Sequence, residues 1–360
     1  MGIVRRLGHL RALGSAPRLV LFAITSHCNA CCTTCSFPRI PAGERRHADY
    51  GKTLKALDFL AKNGVRMVSI TGGEPLTHPR FLDICRAIDE RGLIISYIAT
   101  NGILLDEAVV RELSRMDVNM VGLSMDITRP DGTGRTRRYD VVGTVRRAKR
   151  LLDRYGVPCY AGVLPGRTPE DVKAVLAGCE ELGFSRVVVS YPQGRMGSSY
   201  RAAAEGPDTV LGPGAVRGLV AAIRAEKRLR RRLSVFNTEV SLEELANVAG
   251  GGKSAFRCPA GRWQFYLDWD LELYRCFNDG LKLGSILELE DLEFECGECP
   301  GCTQQAYLDY AGFYRAYEFI GGLKGCVLGN GGGELRRLVS DRDNRRALRS
   351  TIETYLGGFV

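Results

Sequence analysis

Residues 26–35 have the sequence SHCNACCTTC and follow the first apolar run of the chain. Cys28, Cys32 and Cys35 have the spacing C-x3-C-x2-C, which places three thiols on one loop. Three thiolates suit an iron–sulfur cluster in which one iron has no protein ligand, because soft sulfur ligands select such clusters. A structural zinc ion would need a fourth ligand. Cys31 or His27 would provide one, so the spacing alone leaves zinc open.

Short apolar runs alternate with amphipathic stretches around and after this loop. The strand candidates are residues 19–25, 65–71, 93–100, 118–125, 157–164 and 186–191. The helix candidates between them are residues 50–63, 80–91, 107–115, 140–155 and 169–182. Six βα repeats predict a parallel sheet that right-handed crossovers curl into a partial (βα)6 barrel. The predicted fold class is therefore α/β, with ligands bound at the carboxyl ends of the strands.

The chain is predicted to have four parts. Residues 1–18 form a basic amphipathic segment, residues 19–235 the partial barrel, residues 236–310 a small Cys-rich domain, and residues 311–360 a mostly helical tail. The boundary after residue 235 lies where the βα repeats give way to short strands and closely spaced cysteines. The Cys-rich domain is therefore expected to be an appendage of the barrel.

The composition is that of a globular protein. Hydrophobic residues make up 45% of the 360 residues and charged residues 25%, which excludes a disordered chain. The net charge of +9 is too modest to indicate a nucleic-acid partner, and none is expected. The 13 cysteines are odd in number and clustered, unlike an extracellular disulfide framework. A cytoplasmic location is therefore predicted.

The amino-terminal segment has an amphipathic pattern. Ile3, Leu7 and Leu10 recur at helical spacing, with arginines between them. A basic amphipathic helix of this kind either packs on the body of the domain or rests on a membrane surface. Packing on the domain is the favoured interpretation, and peripheral membrane contact is the alternative.

A second motif, TGGEP at residues 71–75, ends the second strand candidate. Together with the C-x3-C-x2-C loop after the first strand, it resembles the radical S-adenosylmethionine superfamily, which has a GGEP motif at this place. The resemblance covers residues 19–195. It implies that Cys28, Cys32 and Cys35 bind a [4Fe–4S] cluster. In that superfamily the open iron binds S-adenosylmethionine, and the reduced cluster cleaves it to a 5′-deoxyadenosyl radical.

The resemblance also implies a binding site for S-adenosylmethionine along the strand ends. Glycines in the motif would let the backbone approach the cofactor, and Glu74 would pair with its ammonium group. The implied cofactor-binding residues are Gly72, Gly73, Glu74, Asn101, Ser124 and Asp126. The chain departs from the family at Thr34, where an aromatic residue is common. Phe37 is the nearest ring that would replace it.

Five more cysteines lie in the Cys-rich domain. They are Cys258, Cys276, Cys296, Cys299 and Cys302. By chemistry alone, a closed four-thiolate site suits structural zinc and a second [4Fe–4S] cluster about equally. The segment from Cys258 to Cys276 resembles the auxiliary-cluster region of SPASM and twitch radical enzymes, which implies one auxiliary cluster. Cys258 and Cys276 are then ligands, and which of the three later cysteines complete the set stays open.

Other soft or aromatic side chains are assigned packing roles. Cys85, Cys159 and Cys179 fall in strand or helix patterns and are predicted to be buried free thiols. Trp263 and Trp269 are predicted to pack around the second cluster, whose potential depends on the exclusion of solvent.

The expected function is that of a radical enzyme. It would abstract a hydrogen atom and pass the electron left on the substrate to the auxiliary cluster, with a flavodoxin or ferredoxin as reductant. The favoured substrate is a small molecule such as a carbohydrate or aminocyclitol, and a peptide or a lipid or isoprenoid is the alternative. The non-enzymatic alternative is a zinc-stabilised binding protein. No catalytic residue is nominated, because many Asp and Glu side chains are candidates.

Overall fold

The structure is a computed structural model of the 360-residue chain. It describes residues 18–32, 35–125, 139–164, 166–191, 197–199, 211–294, 303–328 and 332–358, without the side chains of residues 324–328 and 332–335. The predicted amphipathic segment therefore lies outside the described residues, except for Arg18.

The described residues contain a single sheet of ten strands. The strands are β1 (Arg18–Ala23), β2 (Val65–Thr71), β3 (Ile94–Thr100), β4 (Val121–Met125), β5 (Cys159–Val163), β6 (Arg186–Val189), β7 (Ser234–Val235), β8 (Gln264–Leu267), β9 (Glu272–Tyr274) and β10 (Lys282–Ser285). Their order is β10-β9-β8-β1-β2-β3-β4-β5-β6-β7. The pairs from β8 through β1 to β7 are parallel, whereas β9 is antiparallel to both β8 and β10. The six predicted strands correspond to β1–β6, which confirms the α/β fold class.

Helices connect the parallel strands and cover the end of the chain. They are α1 (Tyr50–Lys62), α2 (Phe81–Glu90), α3 (Glu107–Leu113), α4 (Val141–Arg154), α5 (Pro169–Glu181), α6 (Pro213–Leu229), α7 (Glu239–Ala249), α8 (Gln305–Leu328), α9 (Gly332–Ser340) and α10 (Arg342–Leu356). Asp49 caps α1 by accepting a hydrogen bond from the Lys52 N–H at 2.8 Å, and Thr168 and Asp171 form a capping box on α5. Such caps satisfy N–H groups that have no partner inside the helix. None of the described helices is long and apolar enough to span a membrane.

The hydrophobic core lies between the parallel sheet and the helices that connect its strands. Ile70 of β2 and Leu57 of α1, for example, are both fully buried. Cys85, Cys159 and Cys179 are buried in the same core and form no disulfide, which confirms their predicted place.

Alternation along β4 identifies the side chains that face the inside of the partial barrel. Met125 contacts Cys179 of α5, with 3.8 Å between the sulfur atoms, so it faces the helices. Gly122 and Ser124 lie on the opposite face of the strand and therefore face the lumen. The ring of Tyr160 covers Gly122, where a Cβ atom would lie 2.5 Å from the ring.

The inward-facing side chains differ between the two ends of the lumen. Near the carboxyl edge they are small, since Ser124 is in register with Gly162. Deeper in the lumen, Tyr97 and Tyr160 meet with ring centroids 6.4 Å apart. The lumen therefore has room at the edge that carries the predicted site and a floor of tyrosine rings beneath it.

Helix α8 packs across the opening of the partial barrel. Its Tyr310 contacts Phe236, which follows β7, with ring centroids 6.5 Å apart. Its Tyr314 stacks on Trp263, which precedes β8, at 5.6 Å. The helix therefore bridges the two sides of the curled sheet, and the tail of the chain is part of the barrel wall.

Candidate cluster and cofactor site

The cysteine loop (residues 25–35) lies against the segment that follows β2. The N–H of Gly73 donates to the carbonyl of Thr25 at 2.9 Å, and the N–H of Glu74 donates to the carbonyl of His27 at 2.8 Å. These bonds continue the pairing of β1 with β2 beyond the ends of the strands. The two sequence motifs are adjacent because their strands are neighbours in the sheet.

Gly72 and Gly73 are required for this close approach. Gly72 has a φ of +140°, and a Cβ atom there would lie 2.3 Å from the carbonyl oxygen of Thr25. A Cβ atom on Gly73 would lie 2.3 Å from the carbonyl oxygen of His27. Either methyl group would displace backbone, so both glycines pack the cysteine loop on β2. Sequence reasoning predicted only their approach to a ligand.

Cys28, Cys32 and Cys35 are half-buried, whereas Cys31 is exposed. The pKa of the Cys28 thiol is raised to about 12, mainly by burial and also by the charges of Glu74 and of the other two thiols. The three thiols are therefore close enough for their charges to interact. Within the described ranges, no three His, Cys, Asp or Glu side chains converge as ligands of one metal ion. The donor set fits a [4Fe–4S] cluster by its chemistry, because each thiolate then binds a different iron.

Glu74 is 1% exposed, and protein groups surround its carboxylate. Oε1 accepts hydrogen bonds from the Thr100 hydroxyl at 2.7 Å and from the Leu76 N–H at 3.2 Å, and Oε2 accepts one from the Asn101 N–H at 2.7 Å. These donors belong to the ends of β2 and β3. The carboxylate therefore joins two strand ends, a role that the sequence did not reveal.

Asn101 extends this network to the cysteine loop. Its side-chain amide donates to Oδ1 of Asn29 at 2.8 Å, and its carbonyl accepts from the Tyr139 hydroxyl at 3.3 Å. Asn29 directly follows Cys28, and sequence reasoning missed it, although a short amide beside a candidate ligand is a signal for such a contact. The ends of β1, β2 and β3 are thus joined in one polar network.

The end of β4 carries the remaining predicted cofactor contacts. Ser124 is half-buried and faces the lumen at the carboxyl edge. Asp126 lies outside the described residues, as do Thr33 and Thr34 in the cysteine loop. The cofactor contacts of Ser124 and Asp126 therefore stay predictions, with Ser124 on the expected edge of the sheet.

The two tryptophans make aromatic contacts in different parts of the molecule, and their predicted packing around the second cluster stays a prediction. Trp269 is in the β8–β9 turn and meets Phe37 with ring centroids 5.7 Å apart, next to the cysteine loop. This turn reaches the carboxyl edge because β8 runs parallel to β1. Trp263 stacks on Tyr314 of α8. Phe37, the predicted substitute for an aromatic cofactor contact, is 1% exposed and packs against Trp269.

Three histidines form a chain of contacts at the base of the cysteine loop. His27 and His47 stack with ring centroids 4.1 Å apart, and His78 meets His47 edge-on at 5.0 Å. The pKa of His47 is lowered to about 4, mainly by burial and also by the charges of the two other rings. Nδ1 of His47 also lies 2.9 Å from the Thr25 hydroxyl. The stack therefore fixes residues 25–27 against the segment before α1.

The second cysteine region is described around Cys258 and Cys276. Cys276 follows β9 and is 5% exposed, and its Sγ accepts hydrogen bonds from the N–H groups of Asn278 and Asp279, both at 3.3 Å. Such donors favour the thiolate form, which binds metals. Cys258 is half-buried. The other candidate ligands, Cys296, Cys299 and Cys302, lie outside the described residues.

Residues 197–199 hold the turn after Cys276. The N–H of Gly197 donates to the carbonyl of Asn278 at 2.8 Å, and the Ser198 hydroxyl donates to the carbonyl of Phe277 at 2.7 Å. Gly280 has a φ of +74°, and a Cβ atom there would lie 2.2 Å from the carbonyl oxygen of Gly197. The segment beyond β6 and the turn after Cys276 are therefore packed backbone to backbone.

Known proteins resemble parts of this chain. Residues 22–179 match the radical SAM superfamily. A tungsten-containing aldehyde ferredoxin oxidoreductase cofactor-modifying protein from Pyrococcus furiosus is 40% identical over 106 residues, which are 29% of each chain. A PqqA peptide cyclase from Ruegeria pomeroyi is 30% identical over 182 residues, which are 49% of this chain and 48% of the cyclase. The chain thus spans less than half the length of either relative.

Solved structures match a larger share of the chain. Native anSMEcpe with bound AdoMet has a TM-score of 0.59 at 20% identity, and the match covers 76% of this chain and 79% of that one. Streptococcus suis SuiB bound to S-adenosylmethionine has a TM-score of 0.58 at 16% identity, over 80% of this chain and 68% of that one. Likeness at this level of identity establishes the fold. Residues 22–179 are therefore similar to the radical SAM superfamily, whose members are enzymes.

Proposed function

We propose that the chain is a radical SAM oxidoreductase with two [4Fe–4S] clusters. Cys28, Cys32 and Cys35 would hold the first cluster. S-adenosylmethionine would bind along Gly72, Gly73, Glu74, Asn101, Ser124 and Asp126. When bound, the cluster and S-adenosylmethionine would supply one-electron cleavage of the sulfonium and hydrogen-atom abstraction from the substrate. The observation that carries the proposal is the hydrogen-bond network that joins the cysteine loop to Glu74 and Asn101.

Glu74 would serve the protein and the cofactor together. Its hydrogen bonds to Thr100 and Asn101 fix the carboxylate at the ends of β2 and β3. A cofactor ammonium beside this carboxylate would form a charge-assisted hydrogen bond, which is about twice as strong as a neutral one. The contact between Asn101 and Asn29 would keep the cysteine loop at a fixed distance from that carboxylate.

The lumen would receive the substrate at the carboxyl edge. Ser124 and Gly162 leave space there, while the rings of Tyr97 and Tyr160 close the lumen below. Helix α8 closes the side opening through Tyr310 and its neighbours. A closed floor and side would keep water from a reactive radical, which protects it from side reactions.

The second cluster would accept the electron that remains on the substrate radical. Cys258 and Cys276 are the proposed ligands in the described part of the chain, together with members of the set Cys296, Cys299 and Cys302. Hydrogen bonds from the N–H groups of Asn278 and Asp279 to Sγ of Cys276 support this role, because they raise the reduction potential of a thiolate-ligated cluster. A cluster with four protein thiolates has no open iron and would therefore transfer electrons only.

The proposed substrate is a small molecule with hydroxyl groups, such as a carbohydrate or an aminocyclitol. The inward-facing phenol groups of Tyr97 and Tyr160 and the hydroxyl of Ser124 are neutral hydrogen-bond partners for such a molecule. A peptide is the second candidate, because the Ruegeria pomeroyi relative bears the name of a peptide cyclase. A flavodoxin or ferredoxin is the proposed reductant, and the cytoplasm is the proposed location.

Anaerobic reconstitution of the full chain with iron and sulfide tests this proposal. We expect about eight irons per chain and, after reduction with S-adenosylmethionine, formation of 5′-deoxyadenosine. Deuterated sugars, aminocyclitols and peptides are then offered separately. Deuterium in the 5′-deoxyadenosine identifies the class that loses a hydrogen atom, so the two substrate candidates are distinguished in one assay.

A triple variant separates the two clusters. Cys28→Ala, Cys32→Ala and Cys35→Ala together should leave about four irons and no cleavage of S-adenosylmethionine. Cys85→Ala is the matched control, because this buried thiol lies in the core and has no proposed iron. The wild-type chain is also purified without oxygen. Stoichiometric zinc in that preparation, with no charge-transfer absorption, would instead support the zinc-stabilised binding protein.

A further inference from the structure

The ends of α6 and α10 lie together at the amino edge of the sheet. Nζ of Lys227 in α6 donates to Glu353 of α10 at 2.6 Å. Gly358, which follows α10, lies against the guanidinium group of Arg186, the first residue of β6, and Arg186 pairs with Ser234 at the start of β7. Both helix ends therefore lie at the edge opposite to the cysteine loop, which follows the carboxyl end of β1.

Apolar side chains project into solvent from these two helix ends. Leu229 of α6 is 74% exposed and Leu356 of α10 is 79% exposed, the highest values for large hydrophobic residues in the described part of the chain. Ile352 and Tyr355 of α10 are 49% and 44% exposed. Single exposed apolar residues are ordinary, whereas several on adjoining helix ends indicate an interaction site.

Exposed arginines accompany these apolar side chains. They are Arg228, Arg231 and Arg232 at the end of α6, and Arg345 and Arg349 on α10. The carboxylates beside them are engaged by other cations, since Glu353 pairs with Lys227, and Glu226 and Glu180 pair with Arg230. Among the described residues, no carboxylate lies within ion-pair distance of the five exposed guanidinium groups. The end of α6 and the exposed face of α10 therefore carry an excess of positive charge.

We propose that the end of α6 and the exposed face of α10 form a docking surface for an anionic membrane. This basic-apolar surface consists of Arg228, Leu229, Arg231, Arg232, Arg345, Arg349, Ile352, Tyr355 and Leu356. Anionic headgroups would meet the guanidinium groups while the leucines enter the boundary between headgroups and acyl chains, as in other interfacial helices. A chain bound in this way presents the cysteine loop to the aqueous side. Membrane docking through this surface does not depend on the proposed function.

Vesicle sedimentation with the full chain tests the proposal. The chain is mixed with phosphatidylcholine vesicles that contain phosphatidylglycerol, and with vesicles of phosphatidylcholine alone. We expect binding to the anionic vesicles that weakens as salt increases, because salt screens the charges. The double variant Leu229→Ser, Leu356→Ser and the double variant Arg231→Gln, Arg232→Gln should each weaken this binding by about tenfold or more.

Matched control variants carry the same changes elsewhere on the surface. Leu104→Ser with Leu287→Ser replaces residues that are 42% and 40% exposed, and Lys55→Gln with Lys62→Gln removes two charges from α1. Both controls should bind anionic vesicles as the wild type does, with unchanged circular dichroism.

Three results would overturn the proposal, and each has its own meaning. Wild-type chain that stays in the supernatant with anionic vesicles would exclude a membrane partner. Full binding by the leucine variant with loss in the arginine variant would indicate a polyanion such as nucleic acid. The third result is a wild-type chain that binds no vesicles but whose mass in solution increases with its concentration. If both double variants lose this increase, the partner is a second copy of this chain.

Discussion

Glu74 joins two strand ends through one buried carboxylate. Its Oε1 accepts from the Thr100 hydroxyl and its Oε2 from the Asn101 N–H, both at 2.7 Å. In Glu74→Gln, one of these oxygens becomes an NH2 group that cannot accept, so one buried donor loses its partner. We expect the free energy of unfolding of the cluster-free chain to fall by about 1.5–3 kcal/mol, the scale of a hydrogen bond to a charged group, as measured by urea unfolding.

A second variant separates the role of Glu74 in packing from its role in the cofactor site. Thr100→Val removes one donor to the carboxylate but leaves the negative charge in place. In the reconstituted chain, the affinity for S-adenosylmethionine should fall more in Glu74→Gln than in Thr100→Val, because the first variant alone loses the charge proposed to pair with the ammonium group. Equal affinities in the two variants would assign Glu74 to packing alone.

Helix α8 contains a buried carboxylate whose protonation state affects how stably the helix packs. Asp309 is 6% exposed, and burial raises its pKa from 3.8 to about 6. A raised pKa in the folded state means that folding favours the protonated carboxyl. The contribution of the protonated Asp309 carboxyl to the free energy of unfolding is therefore complete below about pH 4. This contribution is lost as the pH rises through about 6.

Replacement of this carboxyl by an amide tests the sign of the effect. Asp309→Asn keeps the shape of the side chain and cannot ionise. We expect its free energy of unfolding at pH 8 to exceed that of the wild type by up to about 3 kcal/mol, since each pKa unit corresponds to about 1.4 kcal/mol. Urea unfolding at pH 4 should give nearly equal values. Asp270→Asn, at an exposed position of the β8–β9 turn, is the control. A gain of the same size at both pH values would refute the titration argument.

The turn between β8 and β9 contains a strained leucine. Leu271 has a φ of +62° and is 2% exposed. A left-handed conformation costs a non-glycine residue about 1–2 kcal/mol, whereas removal of a buried leucine side chain costs about 2–5 kcal/mol. Leu271→Ala loses the burial and keeps the strain, while Leu271→Gly loses the burial and relieves the strain.

The relative stability of these two variants is the measurement. We expect the free energy of unfolding to decrease from wild type to Leu271→Gly to Leu271→Ala, with about 1 kcal/mol between the two variants. Both values come from urea unfolding of the cluster-free chain. An alanine variant that is more stable than the glycine variant would mean that the turn changes conformation when the leucine is removed.

On the scale of the whole molecule, the two proposed clusters have different roles: the first would cleave S-adenosylmethionine, and the second would accept an electron from the substrate radical. Cys276→Ala should lose product but keep some formation of 5′-deoxyadenosine, because the proposed ligands of the first cluster and Glu74 are unchanged in this variant. Iron content should fall from about eight to about four per chain. Product, 5′-deoxyadenosine and iron are measured on the same preparation.

Folding must be controlled in this variant, because loss of a metal site can unfold the segment that it holds. Cys159→Ala serves as the control, since it removes another buried thiol from the described core. Circular dichroism of both variants should match that of the wild type. A folded Cys276→Ala chain that makes product at the wild-type rate would leave the second cluster without a role in electron transfer.

The sequence predicted the parallel half of the fold because local patterns determine it. The apolar runs at residues 65–71 and 186–191 correspond to β2 and β6, and the amphipathic stretch at residues 169–182 corresponds to α5. The pairing of β8 with β1 and the packing of α8 between Phe236 and Trp263 were not predicted. Both join segments that are far apart in the chain, and local periodicity carries no information about such contacts.

The sequence predicted which segments form the candidate site but not the hydrogen bonds between them. Adjacency of the cysteine loop and the GGEP segment follows from the adjacency of β1 and β2. The hydrogen bonds of Glu74 to Thr100 and of Asn101 to Asn29 depend on the turn of each loop, which residue types alone do not specify. The contact of Trp269 with Phe37 was not predicted for the same reason, since the edge reached by Trp269 depends on the direction of β8.

The central position of β1 in the sheet bears on the order of events during biosynthesis. β1 pairs with β2 on one side and with β8 on the other, and β8 ends at Leu267. On the ribosome, one side of β1 therefore stays an open edge until residue 267 of 360 has been made. Open strand edges invite wrong pairing, so a nascent chain needs protection over this period. Iron loading of the loop that follows β1 is accordingly expected to come late, after translation of most of the chain.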